Sequence, residues 1–235
     1  THQELENEIL TYFRSRIYKE LGLSKEEAET YFSPALDKHK GIAIRYTNID
    51  KKAIFDTIEG QHQVFERIRL AKPYRNKEGK VTKYLSPKGS KTYPYLTALA
   101  HAPETTQEQK TLFITEGEFK AFFGVKKLGL PFIGIGGISL AAIAQKDQDG
   151  KIDYQTATFD EHTKAVIKKL GYQAIHLVFD ADTFDNKGKE NRHIQFFTAI
   201  KKAFFAAKNQ NLGFTFSVIN PTSKAKGLDD LSRDY

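Results

Sequence analysis

Ile175-His176-Leu177-Val178-Phe179-Asp180-Ala181-Asp182 is the stretch that decides the fold. Its first five residues form the short, mostly apolar run typical of a buried strand. Two carboxylates one residue apart stand at its carboxyl end. Such a pair repels itself, and a divalent cation is the usual charge that offsets the repulsion. A second acidic strand end lies upstream, where Thr111-Leu112-Phe113-Ile114 runs into Thr115-Glu116-Gly117-Glu118. Two such ends in one sheet imply a single shared metal site. Glu116, Asp180 and Asp182 are its candidate ligands, and hard carboxylate oxygens suit Mg2+ or Mn2+.

Outward from these motifs the pattern alternates. Strand 111–115, helix 118–129, strand 131–135, helix 160–170, strand 174–180, helix 190–209 and strand 213–219 follow in order. A long insertion after the second strand reads as an exposed loop or hairpin over 146–159, with a turn at Asp149-Gly150. Strands alternating with helices predict an α/β fold, a parallel sheet flanked by helices, whose sites lie at the carboxyl ends of the strands. Both acidic motifs fall there.

The first half has another character. Residues 3–21 read as an amphipathic helix with Leu5, Ile9, Leu10, Phe13 and Ile17 on one side. Ser24 and Glu27 fit a capping box, opening a short helix that Ser33-Pro34 ends. Short strands at 41–46, 52–57, 64–70 and 81–85 read as an antiparallel meander, with a turn at Asn76-Lys77-Glu78-Gly79. Residues 87–110 are loop-like. The expected organisation is a smaller α+β basic subdomain over 1–109, followed by the metal-binding α/β domain over 110–235.

The chain carries 36 Lys and Arg against 29 Asp and Glu, a net charge of +7 that favours polyanions. The surplus is concentrated. Arg67, Arg69, Lys72, Arg75, Lys77, Lys80, Lys83, Lys88 and Lys91 face Glu78 alone, with Tyr74, Tyr84 and Tyr93 interleaved. This fits a solvated hairpin or a nucleic-acid contact, and in the second case Arg67, Arg69, Lys83 and Lys88 are the candidate contacts. Cysteine is absent, which excludes disulfides, thiolate zinc sites and thiol catalysis and fits a cytoplasmic setting. Methionine is absent too, the initiator included. No apolar run approaches the ~20 residues of a membrane span, and no secretion signal opens the chain.

Each candidate has a plainer reading beside the chemical one. Thr115-x-x-Glu118 matches a helix capping box, and Asp182 suits an N-cap or turn. Lys120, one helical turn after Glu116, either binds a phosphate, orients a carboxylate or is a solvated helix lysine. Asp185 and the pair Asp229-Asp230 suit a second ion or outer contacts. Gly136-Gly137 allows close backbone approach to a ligand or simply makes a tight turn. Walker, dinucleotide-binding, G-x-S-x-G and H-x-x-x-H patterns are all missing.

In this order, strand-Thr115-Glu116-Gly117-Glu118-Phe119-Lys120-Ala121, strand-Gly136-Gly137 and Phe179-Asp180-Ala181-Asp182 resemble the TOPRIM domain of bacterial primases, topoisomerases and some nucleases. The resemblance implies that Glu116 is the family's glutamate and that Asp180 and Asp182 are its D-x-D. Lys120 stands where the family's first motif usually has aspartate, a form similar to TOPRIM-like domains of plasmid- and phage-borne replication proteins. Lys226-Gly227-Leu228-Asp229-Asp230 looks like the acidic stretch after the fourth strand in primases, which adds Asp229 and Asp230 as metal ligands. The basic section with Lys83-Tyr84-Leu85-Ser86-Pro87 looks like the subdomain that precedes TOPRIM in bacterial-type primases.

The implied function is a primase catalytic core. It would make short RNA primers on single-stranded DNA from nucleoside triphosphates with Mg2+ or Mn2+, in replication of a bacterial mobile element or phage, alongside a replicative helicase. A TOPRIM-type metal-dependent nuclease and a non-catalytic DNA-binding replication adaptor are the alternatives. A topoisomerase is disfavoured, because no tyrosine stands in a recognisable cleavage module.

Overall fold

The computed structural model describes residues 2–36, 40–58, 60–76, 79, 81–101, 110–180, 192–219 and 227–228. The chain divides into two units, Thr1–Thr92 and Tyr93–Tyr235.

In the first unit, α1 (His2–Arg14) runs into a π-helical segment, Ser15–Glu20. The single helix expected over 3–21 is therefore widened at its end, where the Leu21 and Leu23 N–H groups donate to the Arg16 and Ile17 carbonyls. Ile9, Phe13 and Ile17 are buried, as the amphipathic pattern requires. The capping box of α2 (Lys25–Tyr31) forms: the Glu27 N–H donates to Ser24 Oγ at 3.2 Å and the Ser24 N–H donates to the Glu27 carboxylate at 2.9 Å. Such a cap contributes about 1 kcal/mol.

Ser33-Pro34 does end α2, but as part of a strand. β1 (Phe32–Ala35) pairs antiparallel with β2 (Gly41–Arg45) at the edge of a sheet, and an edge tolerates proline because one side of the strand needs no donor. Then come β3 (Phe55–Ile58), β4 (Gln61–Val64), β5 (Glu66–Arg75) and β6 (Val81–Leu85). The expected meander is not what forms. The sheet order is β1-β2-β5-β6, and β3-β4 is a separate hairpin between β2 and β5. Phe65 is the reason: it is 1% exposed and its N–H donates to the Ile54 carbonyl at 2.8 Å. That buried pivot splits the expected strand 64–70 between two ladders.

The second unit contains β7 (Thr111–Glu116), α3 (Glu118–Leu128), β8 (Phe132–Ile135), β9 (Ile143–Lys146), β10 (Ile152–Thr158), α4 (Glu161–Leu170), β11 (Ala174–Phe179), α5 (Arg192–Asn209) and β12 (Gly213–Val218). Four of these strands make a fully parallel sheet, β12-β11-β7-β8. The insertion is the antiparallel hairpin β9-β10, and its turn closes with the Gly150 N–H on the Asp147 carbonyl. Helices flank both faces of the sheet. Phe196 of α5 packs edge-on against Phe179, with ring centroids 4.8 Å apart. On the other face α3 lies so close that a Cβ at Gly124 would stand 2.2 Å from the Phe132 ring.

The division after Thr92 precedes the 109/110 boundary read from the sequence. The proline-bearing stretch is not a bare linker. Tyr95 bridges Gly134 antiparallel, with the Tyr95 N–H donating at 2.6 Å and the Gly134 N–H returning at 3.0 Å. Tyr95, Leu96 and Ala98 are buried, so these residues pack with the second unit's own core. Among the described residues no helix is long and apolar enough to cross a membrane.

His176 ties the edge strand β12 to β11. Its Nδ1 lies 2.7 Å from Thr215 Oγ1 and its Nε2 2.9 Å from Ser217 Oγ. Burial pushes its pKa below the ordinary 6.5. The folded state therefore holds fewer protons than the unfolded one as pH falls, so the stabilisation present above about pH 6.5 is lost on descent through the folded pKa. His176→Gln is expected to flatten this acid limb. Melting temperatures of both proteins at about pH 5 and about pH 8 check it, and equal losses would remove His176 from the pH dependence.

Candidate active site

β7 and β11 are neighbours, and their register sets Thr115 opposite Val178. Glu116 thus comes abreast of Phe179, one residue short of Asp180, and both acids stand at the carboxyl edge of adjacent parallel strands. The chain leaves β7 through Gly117 at φ 98°, a conformation L side chains rarely adopt. Gly117 is also the N-cap of α3, with no side-chain cap. The capping-box reading of Thr115 and Glu118 therefore does not hold. Thr115 is still inside β7, 1% exposed, and its hydroxyl finds no hydrogen-bond partner among the described residues. Glu118 is buried in the first turn of α3, while Glu116 is exposed.

The same turn delivers Lys120 to the acids. Lys120 Nζ donates to Asp180 Oδ2 at 2.5 Å, with the two side chains 17% and 16% exposed. Of the three readings of Lys120, this geometry is that of a lysine orienting a carboxylate. A pair so withdrawn from water is costly to break from one side, because the remaining charge is stranded.

Beside the acids, Glu116, Ile135, Ile138, Ala141 and Phe179 line a small depression. Gly136 and Gly137 lie in the chain between two of its lining residues, Ile135 and Ile138. Gly137 has φ 169°, extended backbone that any residue adopts, and nothing lies within 4 Å of where its Cβ would be. Neither strain nor packing requires glycine at 137, and the backbone is open to approach. Lys202 of α5 donates to the Ser139 carbonyl at 2.6 Å and so holds the loop that follows this pair. Burial pulls the Lys202 pKa below that of an ordinary lysine. No sequence signal singled Lys202 out.

Asp182, Asp185, Asp229 and Asp230 lie outside the described residues. Among the described residues no group of three His, Cys, Asp or Glu side chains is placed to hold a metal ion.

The basic candidates of the first unit do not share one surface. Arg69 lies opposite Tyr84 in the β5–β6 ladder, and Arg67 shares its face two residues away. Arg69 Nε donates to Tyr12 Oη at 3.0 Å and its Nη1 donates to Tyr84 Oη. The Arg67 and Arg69 guanidinium carbons stand 4.9 and 5.2 Å from the Tyr84 ring centroid. Arg67 Nη1 also donates, at 3.5 Å, to Tyr46 Oη. Burial alone would lower the Arg69 pKa, but Tyr84 and Tyr12 more than offset it and the net shift is upward. Lys83 adjoins Tyr84 on β6 and so points to the opposite face, exposed. Lys88 is exposed in the turn after β6. Tyr12 and Tyr46, which hold this cluster, carried no signal in the sequence.

Residues 104–233 match a family model described as a domain of unknown function, DUF3854. No curated protein matches the chain significantly by sequence. Among solved structures, the zinc-binding and RNA polymerase domains of the Aquifex aeolicus primase are 11% identical, with 100% of this chain and 57% of that chain covered and a TM-score of 0.52. A DNA primase domain from Pseudomonas aeruginosa is 14% identical, with 93% of this chain and 58% of that chain covered and a TM-score of 0.45. The chain thus spans under three fifths of either structure. At these identities the likeness is one of fold, and it rests on the Aquifex comparison.

Proposed function

Since the chain belongs to the DUF3854 family and shares a fold with a primase RNA polymerase region, we propose that it is a TOPRIM-type primase core, a nucleotidyltransferase that joins ribonucleoside triphosphates into short primers on single-stranded DNA. The observation that carries the reading is the placing of Glu116 and Asp180 at the ends of adjacent parallel strands, on the edge where such sheets do their chemistry. Replication of a bacterial mobile element or phage, in the cytoplasm and beside a helicase, is the setting we infer.

The donor chemistry fits Mg2+ or Mn2+: carboxylate oxygens, with no thiolate anywhere in the chain. Glu116, Asp180 and Asp182 would hold the ion, with Asp229 and Asp230 as further ligands. A bound ion supplies positive charge to the phosphoryl group being transferred. Lys120 anchors Asp180, the open backbone at Gly136-Gly137 admits a triphosphate, and Lys83 and Lys88 contact the template. Arg67 and Arg69, engaged with tyrosines, frame the sheet. The test is template-dependent incorporation of labelled nucleotides with Mn2+, with and without a helicase. Product is expected; none under either condition overturns the reading.

The Lys120–Asp180 pair favours one other reading, a DNA-binding adaptor in which the lysine replaces the cation. Lys120→Met separates the two. If lysine and metal share Asp180, removing a charge-assisted hydrogen bond of about 1.5–3 kcal/mol should tighten Mn2+ binding roughly tenfold or more in calorimetry. Wild type that binds no Mn2+, with DNA binding intact in Glu116→Gln, would establish the adaptor.

A further inference from the structure

We propose that the projecting end of the β5–β6 hairpin is a binding platform for single-stranded nucleic acid, on which Tyr74 stacks a base while Arg75 and Lys83 meet phosphates. It rests on the primase reading for its template and adds to it the end of the hairpin beyond the Arg67–Arg69–Tyr84 cluster.

The ladder shows where the hairpin leaves the sheet. β2 pairs with β5 only from Glu66 to Leu70, and one further bond joins the Ala71 N–H to the Lys40 carbonyl. Beyond that point β5 is paired, among the described residues, by β6 alone, Tyr74 opposite Thr82 and Arg75 opposite Val81. A two-stranded ribbon gains little stability by itself in water. This one buries almost nothing: Lys72, Pro73, Arg75 and Lys83 are exposed, Tyr74 is 50% exposed and Val81 42%.

The side chains on the ribbon suit one class of partner. Its described charges are all positive: Lys72, Arg75 and Lys83. Lys72 pairs with Glu8 of α1 at 2.8 Å, an exposed bridge of small worth. Arg75 gives one N–H to the Gly79 carbonyl at 2.9 Å, which fixes the guanidinium beside the turn and leaves its other donors outward. Tyr74 and Thr82 share one face; Arg75, Val81 and Lys83 share the other. A strand that crosses this narrow ribbon meets an exposed aromatic on one face and cations on the other, which suits unpaired strands, since every base has a face to stack and every nucleotide a phosphate. A duplex hides its base faces and has no use for Tyr74.

The experiment titrates the full chain against a fluorescent oligothymidylate and against a duplex of equal length, across a salt series. Tyr74→Ala should weaken the single strand about tenfold with the salt slope unchanged, and Tyr74→Phe should bind as wild type. Arg75→Ala and Lys83→Ala should each lower the slope by ~0.7. These sites are exposed, so melting temperatures should not move, and Lys168→Ala on α4 serves as the neutral control. Equal losses on duplex and single strand would make the ribbon a duplex clamp and overturn the proposal, as would wild-type affinity in Tyr74→Ala. Priming at saturating template separates the two ideas. A Tyr74-dependent single-strand affinity in a chain that never primes leaves the platform standing and removes the primase; priming with Tyr74-independent affinity does the reverse.

Discussion

Asp180→Asn will lower template-dependent primer synthesis at least about a hundredfold, the loss expected when a group that stabilises developing charge is removed, while the protein stays folded. Asparagine has the volume of aspartate and keeps a carbonyl oxygen for Lys120 Nζ, now 2.5 Å from the carboxylate. What disappears is the charge that a cation needs. Glu116→Gln should lose activity to a similar extent for a different reason, since Glu116 comes from β7 and reaches the strand edge without Lys120. Gel-resolved product from labelled nucleotides measures both, with circular dichroism as the check on folding. Activity within about threefold of wild type in either variant would exclude that residue from the chemistry.

The ion pair makes Asp180 and Lys120 a coupled unit rather than two independent residues. Groups in direct contact do not combine additively. Once Asp180→Asn has removed the charge that Lys120 faces, Lys120→Met should add little further loss. The larger single effect of Asp180 is what distinguishes a metal-bearing carboxylate from a partner of a structural bridge.

Much of the second unit was legible in the sequence because buried parallel strands read as continuous apolar runs. Leu112 to Ile114 and Ile175 to Phe179 are such runs, and the acids that end them mark the sheet edge by themselves. The features that escaped depend on neighbours distant in the chain. Pro34 argued against a strand until β2 provided an edge for it to occupy. Phe65 sat inside one expected strand, and only its burial and its bond to Ile54 show that the segment belongs to two ladders. Tyr95 lay among prolines, with nothing local to announce Gly134 as its partner. At the site, Glu116 and Asp180 could be named from strand ends. The salt bridge to Lys120 required the β7–β11 register, which joins residues 60 positions apart. The separation of Arg69 from Lys83 follows from strand parity once Arg69 is known to oppose Tyr84. That pairing passes through an irregularity between Arg69 and Tyr74 that composition does not reveal.

Gly134→Ala is expected to be a damaging small substitution, because its Cβ meets the Gly117 backbone on one side and Tyr95 on the other. A Cβ there would lie 2.7 Å from the Gly117 carbonyl oxygen and 3.3 Å from Tyr95 Cβ. Neither neighbour is free to retreat. Tyr95 is locked by its paired backbone bonds to Gly134, and Gly117 holds the positive φ that turns β7 into α3. Overpacking of this kind costs about 1–3 kcal/mol, which lowers the melting temperature by roughly 2–4 °C per kcal/mol in a protein of this size. Gly124→Ala provides the comparison. Its Cβ would press on the buried Phe132 ring at 2.2 Å, beyond the first turn of α3, so it should cost comparable stability. The two should part in activity measured well below their melting points. Displacing Gly117 moves Glu116 before it and Lys120 after it, so Gly134→Ala should lose synthesis beyond what its stability explains, whereas Gly124→Ala should not. Thermal melts and initial rates on the same preparations decide the matter, and matched activity in the two variants would show that the turn at Gly117 does not set the position of the acids.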